Sequence, residues 1–254
     1  MTATIRLDTR FYRMFPPGNY QGYATEPYEA EIRRSCLLLV DVYGIGREEA
    51  PAEDGSEQGM TWSGSAAAQR HIVDNALGPA LAAARAAGMP VVYVNNSAPR
   101  IGLPHSEFGK MQRRQVGCEI ESRFAEDGID PREYEYGGTG YVSFASKLAP
   151  RDSDYFVRKH VYSGFVGTRL DLLLRYLDIK TLFVAGFSAD ACLLTTVIDA
   201  LWHDYKVVLL RDCTLANEFP EDQAEHLGTQ RMVRMMEALY CVSVESAELV
   251  QALA

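Results

Sequence analysis

The sequence predicts an α/β fold: three layers, α/β/α, built around an open and mainly parallel six-stranded sheet. Short apolar runs rich in β-branched residues alternate with amphipathic stretches of helix length, the order that a parallel sheet with crossover helices requires. Several of those runs are apolar on both faces, as strands covered by helices on either side must be. Length agrees with this. The chain has 254 residues, 47% of them hydrophobic, enough for one large core, and no Pro/Gly/Ser-rich linker divides its middle. We therefore expect one domain over residues 1–254.

Residues 1–34 form an arm that carries Phe11, Tyr12, Phe15, Tyr20, Tyr23 and Tyr28 and shows neither helical nor strand periodicity for much of its length. The first strand runs from Ser35 to Asp41. A helix from His71 to Ala87 follows, stopped by Gly88 and Pro90, and the second strand runs from Pro90 to Asn95. An insertion over about 97–151 then interrupts the alternation; segments this long in compact domains commonly act as lids or interface elements. Strands at Asp154 to Arg158, Thr181 to Gly186, Lys206 to Arg211 and Tyr240 to Val244 complete the six. Between them lie helices at Thr168 to Leu177, Asp190 to Tyr205 and Glu221 to Leu239, with a short helical tail from Ser246.

Charge narrows the partners. Lys and Arg number 25 against 34 Asp and Glu, a formal net charge of −9, and such a surface repels phosphate backbones and anionic lipid heads. The doublets Arg33-Arg34 and Arg113-Arg114 are too short to offset that field over a nucleic-acid footprint. No apolar run approaches the roughly 18 residues of a membrane span, and Met1 to Arg13 does not read as an export signal. Five cysteines, Cys36, Cys118, Cys192, Cys213 and Cys241, make an odd set without CxxC spacing, so a reducing cytoplasm is the expected compartment. His71, His105, His160, His203 and His226 show no ligand spacing, so each reads as structural or surface.

In an open parallel sheet, ligands bind at the carboxyl ends of the strands, so polar residues that close an apolar strand are the first candidates for chemistry. Asp41 closes Cys36-Leu37-Leu38-Leu39-Val40, and Lys159 closes Tyr155-Phe156-Val157-Arg158. Cys192 lies just past the strand Thr181 to Gly186, where a turn feeds the first turn of a helix. A helix N-terminus and a nearby ammonium lower a thiol pKa from about 8.5 by one to several units. Lys159 can supply the ammonium, and Asp41 can accept the thiol proton and return it to a leaving amine. Taken singly, each residue also has a structural role open to it: Asp41 capping a turn, Lys159 in solvent, Cys192 in the core.

The segment Gly186-Phe187-Ser188-Ala189-Asp190-Ala191-Cys192-Leu193-Leu194-Thr195-Thr196, followed by Asp199-Ala200, resembles the nucleophile motif of the isochorismatase-like cysteine hydrolases. Lys159-His160-Val161-Tyr162-Ser163-Gly164-Phe165-Val166-Gly167-Thr168-Arg169-Leu170-Asp171 resembles that family's lysine motif, and Leu38-Leu39-Val40-Asp41 its aspartate strand. Order and spacing agree across all three, over about Cys36 to Val244. The resemblance implies a Rossmann-like, isochorismatase-like fold and a triad of Cys192, Asp41 and Lys159 that works through a thioester. It also implies a cis peptide at Phe187–Ser188, with the backbone N–H groups of Ser188 and Cys192 as oxyanion hole. A small-molecule substrate and a homo-oligomer, dimer or tetramer, are implied as well. The aromatic arm itself has two readings open from sequence, packing on its own domain or on a neighbouring subunit.

Two departures stand out. The family's aspartate is usually followed by a hydrophobic residue and then Gln or Asn, whereas here Asp41-Val42 is followed by Tyr43, which takes that place in the pocket. The metal-binding branch carries Asp and His after its second strand, where this chain has Asn95-Asn96. Lys-x-x-Tyr-Ser-Gly-Phe and a strand ending in Asn most resemble the ureidoacrylate amidohydrolase branch. That implies a metal-independent amidohydrolase for a small ureido or linear amide compound, with Asn96, Tyr162, Phe165, Tyr43 and Gln115 as substrate-binding residues. Gln115, Arg113 and Arg114 lie on the insertion, where they suit a carboxylate or a ureido oxygen or else stand on a solvated loop. An isochorismatase-type vinyl ether hydrolase and a non-catalytic thiol sensor or scaffold remain open from sequence.

Overall fold

The computed structural model describes residues 3–16, 18, 21–43, 66–96, 106–116 and 144–254; the side chains of 66, 112, 113, 115 and 116 lie outside the described set. The centre is an eight-stranded sheet. Its strands are β1 (Thr4–Arg13), β2 (Gly22–Glu31), β3 (Ser35–Val40), β4 (Val91–Asn96), β5 (Tyr155–Lys159), β6 (Thr181–Gly186), β7 (Lys206–Leu210) and β8 (Val242–Val244). They lie in the order β2-β1-β8-β7-β6-β3-β4-β5. From β8 to β5 every pairing is parallel. All six strands expected from the sequence are present.

The two additional strands correct the six-strand expectation. The arm folds as an antiparallel hairpin of β1 and β2 and joins β8 antiparallel, with Arg10 opposite Ser243. Along Thr4 to Thr9 exposed and buried residues alternate, with Ile5, Leu7 and Thr9 inward. That is a strand signal of period two, obscured in the sequence because a threonine takes one of the inward places.

Helices cover both faces. Leu37 and Leu39 of β3 point into one core with Leu77, Leu81 and Leu249, while Cys36, Leu38 and Val40 point into the other with Leu174, Leu193 and Met236. On the first side lie α1 (Ala66–Ile72), a π-helical turn over Val73–Leu77, α2 (Gly78–Ala86) and α7 (Ser246–Leu253). On the second lie α4 (Leu170–Tyr176), α5 (Cys192–Trp202) and α6 (Leu227–Leu239). The insertion contributes α3 (Glu107–Val116) and a 3-10 turn at Ser146–Leu148; residues 97–105 and 117–143, with His105 and Cys118, lie outside the described residues, as does Tyr20.

Helix α6 starts at Leu227 rather than near Glu221, because the buried carboxylate of Glu218 takes the N–H groups of Gly228 and Thr229 at 2.8 Å each. Those donors have no intrahelical partner, so an acceptor placed there sets where the helix begins. Among the described residues no helix is long and apolar enough to cross a membrane.

Candidate active site

Three strand ends deliver the polar residues. Asp41 follows β3 in a left-handed conformation, φ 48°, which aspartate tolerates better than most side chains; its N–H donates to Val94 O at 2.9 Å. Lys159 closes β5 directly opposite Asn96, the last residue of β4. Gly186 ends β6 at φ +124°, where a Cβ would come within 1.9 Å of Val40 O, so only glycine lets β6 turn this close to β3. From there the chain passes through a cis peptide at Phe187–Ser188, the geometry the resemblance implies, and reaches Cys192 at the first position of α5.

The Lys159 ammonium is the hub. Its Nζ lies 2.7 Å from Asp41 Oδ2, donates to Cys192 Sγ at 3.2 Å and to Val161 O at 3.4 Å, and donates to Asn96 Oδ1. Asp41 and Lys159 are wholly buried and Cys192 is 7% exposed. Asp41 Oδ1 also accepts the Asn96 N–H at 3.0 Å. The sequence predicts these three side chains as one site, and the fold brings them together.

Burial works against the lysine's charge, but the attraction of Asp41 and Cys192 outweighs it and the Lys159 pKa is raised. The thiol moves the other way from the sequence expectation. Burial, with the Asp41 charge and hydrogen bond added, outweighs Lys159 and pushes Cys192 up to about 12. Burial and Asp41 thus favour the protonated thiol, and its proton leaves sulfur when a base takes it.

Asn96 is occupied at both ends, accepting from Lys159 and donating from Nδ2 to Tyr43 Oη at 2.7 Å. Tyr43 is fully buried. The ring of Tyr162 meets Phe108 of α3 edge to face at 4.9 Å, so the insertion packs on the loop that follows Lys159. The Phe165 ring stacks on His203 at 4.9 Å and lies 6.1 Å from Tyr205. Gln115 and Arg113 fall in α3 with side chains outside the described residues, and Arg114 is exposed.

Three further interactions shape the site. Ser163 Oγ hydrogen-bonds Asp199 of α5. Gly164 N–H donates to Thr196 Oγ1 at 2.9 Å, which in turn donates to Cys192 O at 2.7 Å. These bonds fasten the lysine loop to the nucleophile helix. On the opposite side Asn217 Nδ2 reaches Ser188 Oγ at 3.2 Å. Asn217 escaped the sequence reading, although it follows a parallel strand at the edge where ligands bind.

The family model described as the isochorismatase domain matches residues 57–240, more than half of the sequence. The chain belongs to the isochorismatase family. As a member it is a hydrolase. It is 27% identical over 182 residues to ureidoacrylate amidohydrolase RutB of Klebsiella pneumoniae, covering 72% of this chain and 73% of that protein. Against the Azorhizobium caulinodans protein of the same name it is 26% identical over 192 residues, or 74% and 79% of the two chains.

Solved structures share the fold. A cysteine hydrolase from Pseudomonas syringae pv. phaseolicola aligns with a TM-score of 0.64 at 24% identity, over 88% of this chain and 94% of that one. N-carbamoylsarcosine amidase from Thermoplasma acidophilum aligns at 0.51 and 22% identity, over 84% and 96%.

Proposed function

We propose that this isochorismatase-family hydrolase is a metal-independent cysteine amidohydrolase that cleaves a C–N bond of a small ureido, carbamoyl or linear amide compound and releases ammonia. The observation that carries the reading is the Lys159 ammonium seated between Asp41 and Cys192, with all three side chains buried. The names of the sequence relatives support the substrate class.

In this reading Asp41 takes the thiol proton as Sγ attacks the carbonyl carbon. The carbonyl oxygen becomes an oxyanion held by the N–H groups of Ser188 and Cys192, neither of which makes a hydrogen bond among the described residues. Asp41 then protonates the nitrogen, ammonia leaves, and water attacks the thioester with Asp41 again as base. Lys159 holds both anionic states that this cycle visits, the carboxylate and the thiolate. Asn96, braced by Tyr43, fixes the lysine, and Tyr162 against Phe108 walls a site for a small substrate. Metal ligation has no part in the reading, since Asn95 and Asn96 stand where the metal-binding branch has Asp and His.

Ammonia release across ureidoacrylate, biuret-like compounds, N-carbamoyl acids and simple amides tests the substrate class, with intact-mass detection of the acyl adduct on Cys192. Dialysis against a strong chelator leaves the rate unchanged. Conversion of an enol ether with no ammonia from any of these compounds overturns the amidohydrolase reading, and a chelator-induced loss restored by Zn²⁺ overturns the metal-free one.

A further inference from the structure

Asn217 takes no part in the chemistry just described, yet it holds the loop that carries it. Its side-chain amide donates to Ser188 Oγ at 3.2 Å and to the two oxygens of Asp190 at 3.1 and 3.2 Å. Its backbone N–H donates to Asp190 Oδ1 at 3.2 Å. One residue therefore grips the segment before Cys192 at two points, one on each side of Ala189.

Asn217 is itself well anchored. The Ala189 N–H donates to Leu215 O at 2.8 Å, and the Ala216 N–H donates to Thr229 Oγ1 at 2.9 Å. Next along the chain, Glu218 is 6% exposed and accepts from Gly228 N–H, Thr229 N–H and Thr229 Oγ1 at 2.8, 2.8 and 2.6 Å. A buried carboxylate with three donors is a stiff attachment, and it ties the strap that bears Asn217 to the N-terminus of α6.

We infer that Asn217 is a positioning residue for acyl transfer: it fixes the 188–190 loop so that the Ser188 N–H is aligned with the Cys192 N–H when the carbonyl oxygen becomes an oxyanion. The inference deepens the proposed function and rests on its assignment of those two N–H groups. Donors fixed in advance favour the transition state because they do not reorganise as charge develops. Deleting one outright costs about 10²–10³-fold in rate, so loosening one costs about 10–100-fold. Asp190 adds to the effect. Without the side-chain amide the Asn217 backbone N–H still holds Asp190, but the carboxylate moves more freely near a developing negative charge of the same sign.

Two reagents separate this role from general support of the fold. p-Nitrophenyl acetate acylates through a carbonyl: the Sγ–C bond forms, the thiol proton passes to Asp41, an oxyanion develops, and the C–O bond to p-nitrophenolate breaks. Iodoacetamide alkylates by displacement: the Sγ–C bond forms as the C–I bond breaks and iodide leaves, with the proton again passing to Asp41 and no oxyanion.

In Asn217→Ala, acylation of Cys192 falls about 10–100-fold while alkylation stays within about twofold of wild type. Asn217→Asp, which sets a second carboxylate against Asp190, falls further, and Asn217→Ser, which keeps a short donor, retains an intermediate rate. Circular dichroism checks the fold of each, and the serine variant carries the test if the alanine variant does not fold. Equal slowing of both reagents, or slowing of neither, overturns the inference. Failure of wild-type Cys192 to be acylated is a different result and overturns the proposed nucleophile itself.

Discussion

Lys159 keeps its charge without solvent because two acids face it, and removing either changes what the other can do. With Cys192→Ala the pair of Lys159 and Asp41 remains, and a small side chain replaces a small thiol at the site's margin. Turnover is expected to drop by at least about 10³-fold while circular dichroism and the denaturation midpoint stay close to wild type. Activity retained in this variant would sink covalent catalysis. Asp41 and Lys159 were legible as polar residues closing apolar strands and Cys192 as a thiol just past one, but each alone left a structural role open, and it was the resemblance across three motifs that joined them as a triad. The direction of the thiol's ionisation was not legible, since spacing reveals the ammonium nearby but not how completely burial strips water from sulfur. Asn217 stayed hidden for a related reason: it lies seven residues beyond the end of β7, too far for a strand-end rule to reach.

Among the elements, the loop from Lys159 to Leu170 is set by close approach. A Cβ on Gly164 would lie 2.8 Å from Val94 Cγ1 and 3.2 Å from Leu170 Cδ2, so the loop packs against β4 only because no side chain intervenes. Gly164→Ala is expected to cost about 1–3 kcal/mol by overpacking and to weaken substrate binding, because the displaced loop carries Tyr162. Urea denaturation read beside KM checks both, and wild-type stability in this variant would show that the contact relaxes freely. The order of helices and strands from β3 to β8 was legible from period, whereas the β1–β2 hairpin and the ends of the elements were not. Glu218 decides where α6 begins from a position nine residues upstream of Leu227, and the β1–β2 hairpin is tied to α6 by Arg10, whose guanidinium reaches buried Glu237 at 2.8 Å.

At the scale of the molecule the buried thiols and Lys159 shift in the same direction. Burial raises the thiols of Cys36 and Cys213, and Cys192 is pushed up to about 12, while Lys159 is raised by its two acidic neighbours against the opposing effect of burial. An unfolded thiol ionises near 8.5, so above about that pH the unfolded chain gives up protons that the folded chain retains. The folded pKa values are the higher ones, so the stability these groups contribute is complete below the unfolded values and drains away as pH rises toward the folded ones. The urea midpoint is expected to fall steadily from about pH 8 to about pH 11. A flat profile would mean that these thiols meet water in the folded protein.

The spatial order β6-β3-β4-β5 places residues from near 41, 159 and 192 side by side, although more than a hundred residues separate the first two along the chain. No local segment contains a working site. A chain emerging from the ribosome has its aspartate early, its lysine much later and its cysteine later still, and until all three strands have met, Cys192 is an ordinary thiol with no carboxylate to take its proton. The first appearance of Asp41-assisted acylation at Cys192 during refolding therefore serves as a clock, built into the protein, for the moment at which the centre of the sheet closes.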